Sequence, residues 1–331
     1  MSERFRVVIA DFIADDLSPE LQILGDIATV ESLDAYSEAD LIGKVETADA
    51  MMIYHNLSLT RETISRMSRC KLIVRCGVGF DNVDRIFARE RGIPVANVPD
   101  YGTEEVADSA IGLALTLARG VHLYNSRLQN NIGPWSYTQA VPIRRLRGRV
   151  FGIIGLGRIG TATAMRAKAL GMDVVFYDPL KSDGYDKSLG IRRVETLGEL
   201  LRESYIVSLH CPLTEDTRHI IDAKALDQMP NGSFLVNTAR GACVDLTAIP
   251  PAIRSGKLAG AGIDVLPHEP PPAEHPLLVA WRDPSDPCHD RVIVNPHAAF
   301  YAEEGLLDMR VKGSQACRRA LLGQPLRNVV N

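Results

Sequence analysis

The stretch "VFGIIGLGRIGTATAMRAKALGMDVVFYDP", residues 150–179, limits the possible folds more than any other part of the chain. An apolar run leads into three glycines spaced as GxGxxG: Gly155, Gly157 and Gly160. A segment of helix formers follows, then a second apolar run that ends in an acid, Asp178. A strand, a tight turn, a helix and a parallel strand is the arrangement this pattern permits. Gly155 allows the tight turn, Gly157 lets the backbone approach a pyrophosphate, and Gly160 lets helix and strand pack closely. The helix N-terminus then stabilises phosphate charge. Asp178 lies at roughly the 20-residue spacing of a ribose-binding acid, and its charge opposes a 2′-phosphate. The segment therefore points to NAD as cofactor, while Lys181 brings a cation near the same region.

The rest of the chain alternates in the same manner. "RVVIAD" (6–11), "ATVESL" (28–33), "DAMMIYH" (49–55), "KLIVRCG" (71–77) and "PVANVP" (94–99) read as strands. "SEADLIGKVETA" and "DNVDRIFARERG" read as helices between them. Near-continuous apolar strands separated by helices predict a parallel sheet covered on both faces. A second series starts at Val150 and includes "YIVSLHC", "GSFLVNT", "GAGIDVL" and "RVIVNPH". Residues 302–323 read as an amphipathic helix closed by Gly323 and Pro325. The fold class is thus α/β with doubly wound parallel sheets.

"TEEVADSAIGLALTLARG" (103–120) is placed as a helix with Thr103 as N-cap and Gly120 as its stop. Its interior is apolar almost all round, which predicts burial on every side, between domains or between subunits. Residues 121–137 read as a second helix and a loop.

Bulk properties exclude several classes. The 331 residues suffice for about two domains. A net charge of −4 and the absence of a dominant basic run argue against a nucleic-acid surface. The basic cluster Arg144, Arg145, Arg147 and Arg149 reads as a solvated linker. No apolar segment reads as a signal peptide or a membrane span. Six cysteines without CxxC pairing predict reduced thiols, a cytoplasmic location and no metal site.

Ligands of open α/β sheets sit at the carboxyl ends of the strands. Arg240 follows "GSFLVN", Glu269 follows "GAGIDVL" by a few residues, and His297 follows "RVIV". Arginine can grip a carboxylate through two parallel hydrogen bonds. Histidine can carry a proton near neutral pH, and a carboxylate beside it selects the tautomer and stabilises imidazolium. With a nicotinamide, these groups meet the needs of a 2-oxo acid: a grip on its carboxylate, a proton for its carbonyl oxygen and a hydride for its carbon.

The blocks "VRCGVGFDNVD" (74–84), "GIIGLGRIG", "LVNTARGACVD", "GIDVLPHEP" and "NPHAAFY" together resemble the D-isomer-specific 2-hydroxyacid dehydrogenase family, in order and nearly end to end. "MMIYHNLSLTRE", "FYDPLKSDG" and "HAAFYAEE" look most like its C-terminal binding protein branch. The resemblance implies two Rossmann-like or flavodoxin-like domains, with the cofactor domain, 103–297, inserted into a substrate domain of 1–102 and 298–331. It implies a closing hinge and a homodimer formed through the helices after residue 103. It assigns substrate binding to Arg240, acid/base work to His297 and support of that histidine to Glu269. It adds Arg75 and the backbone N–H groups of Val78 and Gly79 to the substrate site. Thr103, Arg158, Ile159, Asp178, His210, Pro212, Thr217, Thr238, Ala239 and Asp264 match cofactor-contacting positions.

Two features depart from that branch. Phe300 stands where its members carry tryptophan, so the aromatic wall of the substrate pocket is changed. The 270–290 segment, which contains Trp281, is longer than usual. The implied activity is NAD-dependent interconversion of a 2-oxo acid and a D-2-hydroxy acid, without nucleic-acid or membrane partners. An NAD-binding scaffold of the corepressor kind is the alternative.

Overall fold

Runs of β-branched and other apolar residues bury both faces of the inner strands, as at Ala50–Ile53 and Ile206–Leu209, and that is what parallel sheets require. The computed structural model describes residues 4–331, so residues 1–3 of the expected first domain lie outside it. The chain separates into two compact units, one of residues up to Gly102 together with Tyr301–Asn331, the other of Thr103–Phe300.

In the first unit the strands are β1 (Phe5–Ile9), β2 (Ala28–Ser32), β3 (Ala50–Ile53), β4 (Ile73–Arg75) and β5 (Val95–Asn97). All pair in parallel in the order β2-β1-β3-β4-β5. The order reverses between β1 and β3, and that switch point opens a crevice at the carboxyl ends. The C-terminal helix, Glu303–Leu321, packs in this unit beside the Ser18–Leu24 helix. A buried bidentate ion pair joins them: Arg310 Nε and Nη2 each lie 2.7 Å from a Glu20 carboxylate oxygen. Removing one partner would strand a buried charge, at a cost of about 3–5 kcal/mol.

In the second unit the strands are β6 (Val150–Ile154), β7 (Asp173–Tyr177), β8 (Arg192–Arg193), β9 (Ile206–Leu209), β10 (Ser233–Asn237), β11 (Leu258–Ile263) and β12 (Val292–Val294). Their order is β12-β11-β10-β9-β6-β7-β8, with the reversal between β6 and β9. This is the doubly wound dinucleotide-binding arrangement.

Some local expectations need correction. Residues 37–48 do not form an α-helix. A single 3₁₀ turn, Glu38–Leu41, is capped by Ser37 and Asp40, and Gly43 at φ 84° ends the helical path. Thr103 is the first helical residue of Thr103–Arg119 rather than a cap outside it. That helix is buried on one face, through residues such as Ala110, Leu113, Ala114 and Leu117, within the core of its own unit. Asp108 and Gly112 are exposed in the single chain, so its own unit does not cover every side. Gly262 of β11 explains the close packing, because a Cβ there would lie 3.0 Å from the Leu113 Cβ. Of the 270–290 segment, Pro276–Arg282 and Pro287–Arg291 are helical, and Trp281 packs half-buried against the second unit's core. Among the described residues no single helix is long and apolar enough to cross a membrane.

Candidate active site

The turn after β6 is built around its own backbone. Gly155 has φ 88°, and a Cβ there would lie 2.7 Å from the Cys211 amide nitrogen. Gly157 precedes the Arg158–Ala169 helix. A Cβ on Gly160 would lie 2.1 Å from the Gly155 carbonyl oxygen, so this helix rests directly on the turn. Gly157 differs from both. A Cβ there would meet nothing within 4 Å. The fold needs glycine at 155 and 160; at 157 the open space is what a phosphate needs to reach the N–H groups at the helix start, near Arg158 and Ile159.

Asp178, just past β7, faces back to that turn. Its Oδ2 accepts the Leu156 N–H at 2.8 Å and its Oδ1 the Leu180 N–H at 3.0 Å. At the end of β9, His210 Nε2 lies 2.9 Å from Ser208 Oγ, while its Nδ1 is buried without a hydrogen-bond partner. Burial lowers this imidazole to about 3, so it stays neutral. Thr238 Oγ1, beyond β10, is likewise buried and unpartnered. Buried polar atoms are normally satisfied. Two orphans at the carboxyl edge, beside a turn with room for a phosphate, suit a bound dinucleotide. Thr217 Oγ1 donates to the Pro212 carbonyl at 2.6 Å and accepts the Thr214 N–H at 2.7 Å, shaping the 212–217 loop.

Arg240, Glu269 and His297 follow three adjacent strands, β10, β11 and β12. The buried Asn237 side chain bonds Ala239 N and the Arg240 carbonyl, which straps the arginine's turn to the strand end. Arg240 Nη1 donates to the Ala239 carbonyl at 2.9 Å. A Cβ on Gly241 would lie 2.0 Å from the Leu266 carbonyl carbon, so this turn packs against the backbone leading to Glu269. Glu269 Oε1 accepts the Leu266 N–H at 2.7 Å, and Oε2 lies 2.6 Å from His297 Nδ1. With the Nδ1–H directed to the carboxylate, Nε2 is the nitrogen that can exchange a proton with a bound molecule.

His297 has φ 54°, an uncommon conformation for a residue with a side chain. Asp264 holds it there. The Asp264 carbonyl accepts the His297 N–H at 2.7 Å, and its carboxylate accepts the N–H groups of Ala298 and Ala299. Burial raises the Asp264 carboxyl despite those donors. Expected as a cofactor contact, Asp264 is seen here to shape the histidine's turn. The Phe300 ring meets the imidazole edge-on at 6.1 Å.

Arg75, Val78 and Gly79 form a separate group in the first unit. Arg75 ends β4 and is buried, its Nε 3.3 Å from Asn82 Oδ1 and its Nη1 3.3 Å from the Cys76 carbonyl. Gly77 makes room for it, since a Cβ there would lie 1.5 Å from Arg75 Nη1. The Val78 carbonyl accepts Asn97 Nδ2 at 2.7 Å.

Sequence reasoning passed over Phe12, which follows β1 at φ 69° with its ring 4.6 Å from His55 and 5.4 Å from Tyr54. Its place after the first strand of a switch point was the available signal. Among the described residues no group of three His, Cys, Asp or Glu could hold a metal ion.

Residues 111–299 match the model described as "D-isomer specific 2-hydroxyacid dehydrogenase, NAD binding domain". The chain is 35% identical over 324 residues to C-terminal-binding protein 1 of Caenorhabditis elegans, covering 96% of this chain and 44% of that protein. It is 33% identical over 326 residues to D-3-phosphoglycerate dehydrogenase of Methanocaldococcus jannaschii, covering 98% of this chain and 59% of that one. The chain thus spans about half the length of these curated relatives. D-lactate dehydrogenase of Aquifex aeolicus, solved with NAD and lactic acid, superposes with a TM-score of 0.83 at 29% identity, covering 96% of each chain.

Proposed function

The chain belongs to the D-isomer-specific 2-hydroxyacid dehydrogenase family, and on that premise we propose that it reversibly reduces a 2-oxo acid to a D-2-hydroxy acid with NADH. The observation that carries this reading is the 2.6 Å pairing of His297 with Glu269, beside Arg240 and on the sheet edge that bears the dinucleotide turn.

When bound, the nicotinamide supplies the hydride or receives it. The protein's own groups do the rest. Arg240 neutralises and orients the substrate's carboxylate and polarises its carbonyl. In reduction, protonated His297 gives the Nε2 proton to the carbonyl oxygen as negative charge develops there. The Glu269 carboxylate keeps the Nδ1–H in place throughout. In oxidation, neutral His297 takes the hydroxyl proton at the same atom. Phe300 walls the imidazole.

The proposal includes a homodimer. Val121, Trp135 and Tyr137 are 57%, 89% and 76% exposed within one short segment after the Thr103–Arg119 helix, and a partner would cover them. It also includes a cytoplasmic setting, consistent with six cysteines that form no disulfide among the described residues. A second reading, an NAD-dependent scaffold, draws on the likeness to C-terminal-binding protein 1.

The test is oxidation of NADH by the purified protein across 2-oxo acids from glyoxylate to phenylpyruvate, repeated with His297→Ala. Turnover of one member, lost in the variant, supports the enzyme. Tight NADH binding without turnover on any member favours the scaffold.

A further inference from the structure

Among Arg144, Arg145, Arg147 and Arg149, two do more than a solvated linker requires. Arg144 belongs to the wall of a cavity of about 520 Å³ that lies entirely within the second unit. The Arg149 guanidinium sits over the Tyr205 ring, 4.5 Å from its centroid, and Tyr205 is part of the same wall. Tyr205, Gly232 and Leu258 stand at the amino ends of β9, β10 and β11. The cavity therefore lies at the sheet edge opposite the dinucleotide turn, and the length of β10 separates the two edges by roughly 16 Å.

Its lining has the two parts that an amphipathic ligand needs. Leu117, Leu123, Ile143 and Phe234 supply apolar surface. The charged side chains are three arginines, Arg144, Arg254 and Arg291, and one acid, Asp290. Asp290 is engaged by Arg127, whose Nη2 lies 2.5 Å from its carboxylate. Arg254 Nε donates to Asp286 at 2.9 Å, and Arg291 Nη1 donates to the Ala259 carbonyl at 3.3 Å. The Arg144 guanidinium has neither an ion pair nor a hydrogen bond among the described residues. Positive charge is thus in excess here. Burial raises the Tyr205 phenol, and Arg149, Arg144 and Arg119 act against that rise. His122 fixes one wall. Its Nε2 lies 2.9 Å from the Asp290 carbonyl and its Nδ1 3.3 Å from the Thr116 carbonyl, which ties the Val121–Gln129 helix to the Pro287–Arg291 helix.

We propose that this cavity binds a small organic carboxylate with an apolar body, held by the Arg144 guanidinium, at a site separate from the edge that bears the Gly155–Gly160 turn and His297. Its volume falls within the range of small-molecule pockets, about 300–1,000 Å³, and apolar walls with a few placed polar groups are how such pockets are built. A guanidinium meets a carboxylate through two parallel hydrogen bonds, and one without a partner in the protein is ready to do so. Nothing about this site requires the dehydrogenase chemistry.

The experiment titrates anilinonaphthalene sulfonate, an aromatic anion that brightens in apolar surroundings, into the full-length protein with saturating NAD+ present. Phenylbutyrate is expected to displace the probe about tenfold more effectively than phenylbutanol, which has the same body without the charge. Arg144→Ala should weaken the probe about fivefold, the exposure of this arginine limiting the effect. Its guanidinium bonds to nothing in the fold, so the variant should fold as the parent does. Arg145→Ala, a neighbour outside the cavity lining, should leave the probe unchanged. Equal binding to the parent and Arg144→Ala overturns the proposal, as does a parent that binds no probe. Displacement by the alcohol as readily as by the acid overturns it too. Complete loss of the probe on adding NAD+ would place it at the dinucleotide turn instead. Probe binding that falls as protein concentration rises would mean that a second copy fills the cavity, and either result refutes the assignment.

Discussion

His297 Nδ1 and Glu269 Oε2 stand 2.6 Å apart at the ends of two neighbouring strands, and the imidazole they orient sits on backbone at φ 54°. A carboxylate can only accept this hydrogen bond, whereas an amide could turn its NH2 group toward the ring and select the other tautomer. Glu269→Gln is therefore expected to lower kcat by a factor on the order of 10² or more. Steady-state NADH oxidation on the best 2-oxo acid checks this, and wild-type kcat in the variant would count against the assigned role.

The backbone at His297 separates chemistry from folding. Asn tolerates the left-handed region and a β-branched residue does not. His297→Asn should lose turnover while its melting temperature stays near the parent's. His297→Val should lose turnover and a further roughly 1–2 kcal/mol of stability. Denaturant melts of the two variants give the comparison, and equal stabilities would mean the turn relaxes.

Two glycines of one motif should fail differently. Gly160→Ala places a methyl 2.1 Å from the Gly155 carbonyl and is expected to cost about 1–3 kcal/mol of stability. Gly157→Ala meets no protein atom within 4 Å, so stability should hold while NADH affinity falls. Thermal melts and NADH titrations on the same samples would show it.

His210 predicts a pH effect on stability. Its folded value is lowered to about 3 by burial, so over the window from its ordinary 6.5 down to about 3 the unfolded chain binds a proton that the folded chain does not. Stability contributed by the neutral ring is present above pH 6.5 and is lost as pH falls through that window, with a slope of up to about 1.4 kcal/mol per pH unit. In His210→Gln that part of the slope should vanish. Urea unfolding from pH 7 to pH 4 measures it.

Trp135 offers a test of assembly. If a second copy covers it, Trp135→Ser should weaken the dimer by about 2 kcal/mol, roughly 30-fold in Kd. Sedimentation at several concentrations reads this, and a parent that stays monomeric at high concentration would refute the dimer.

Much of this architecture can be read along the chain, for reasons that differ from place to place. The β6 turn is legible because one glycine spacing, one helix and one acid are all local. Arg240, Glu269 and His297 are each legible as the polar residue after an apolar strand, although they meet only through the order β10-β11-β12. Strand β8 is two arginines held by pairing with Val175 and Phe176, and offers no apolar signal. The missing helix at 37–48 had suitable periodicity, but Gly43 and the Ser37–Asp40 cap outweigh it. The hold of Asp264 on residues 297–299 spans a sequence distance that no local pattern reports.

The open space at Gly157 bears on descent as well as on binding. Gly155 and Gly160 are required by the chain's own atoms, whereas a Cβ at Gly157 would meet nothing within 4 Å, so only a bound dinucleotide would demand glycine there. A descendant that gave up the dinucleotide would keep the outer two glycines for as long as it folded. The middle one would be free to drift, and its loss in a relative would mark a protein that has kept the architecture and abandoned the chemistry.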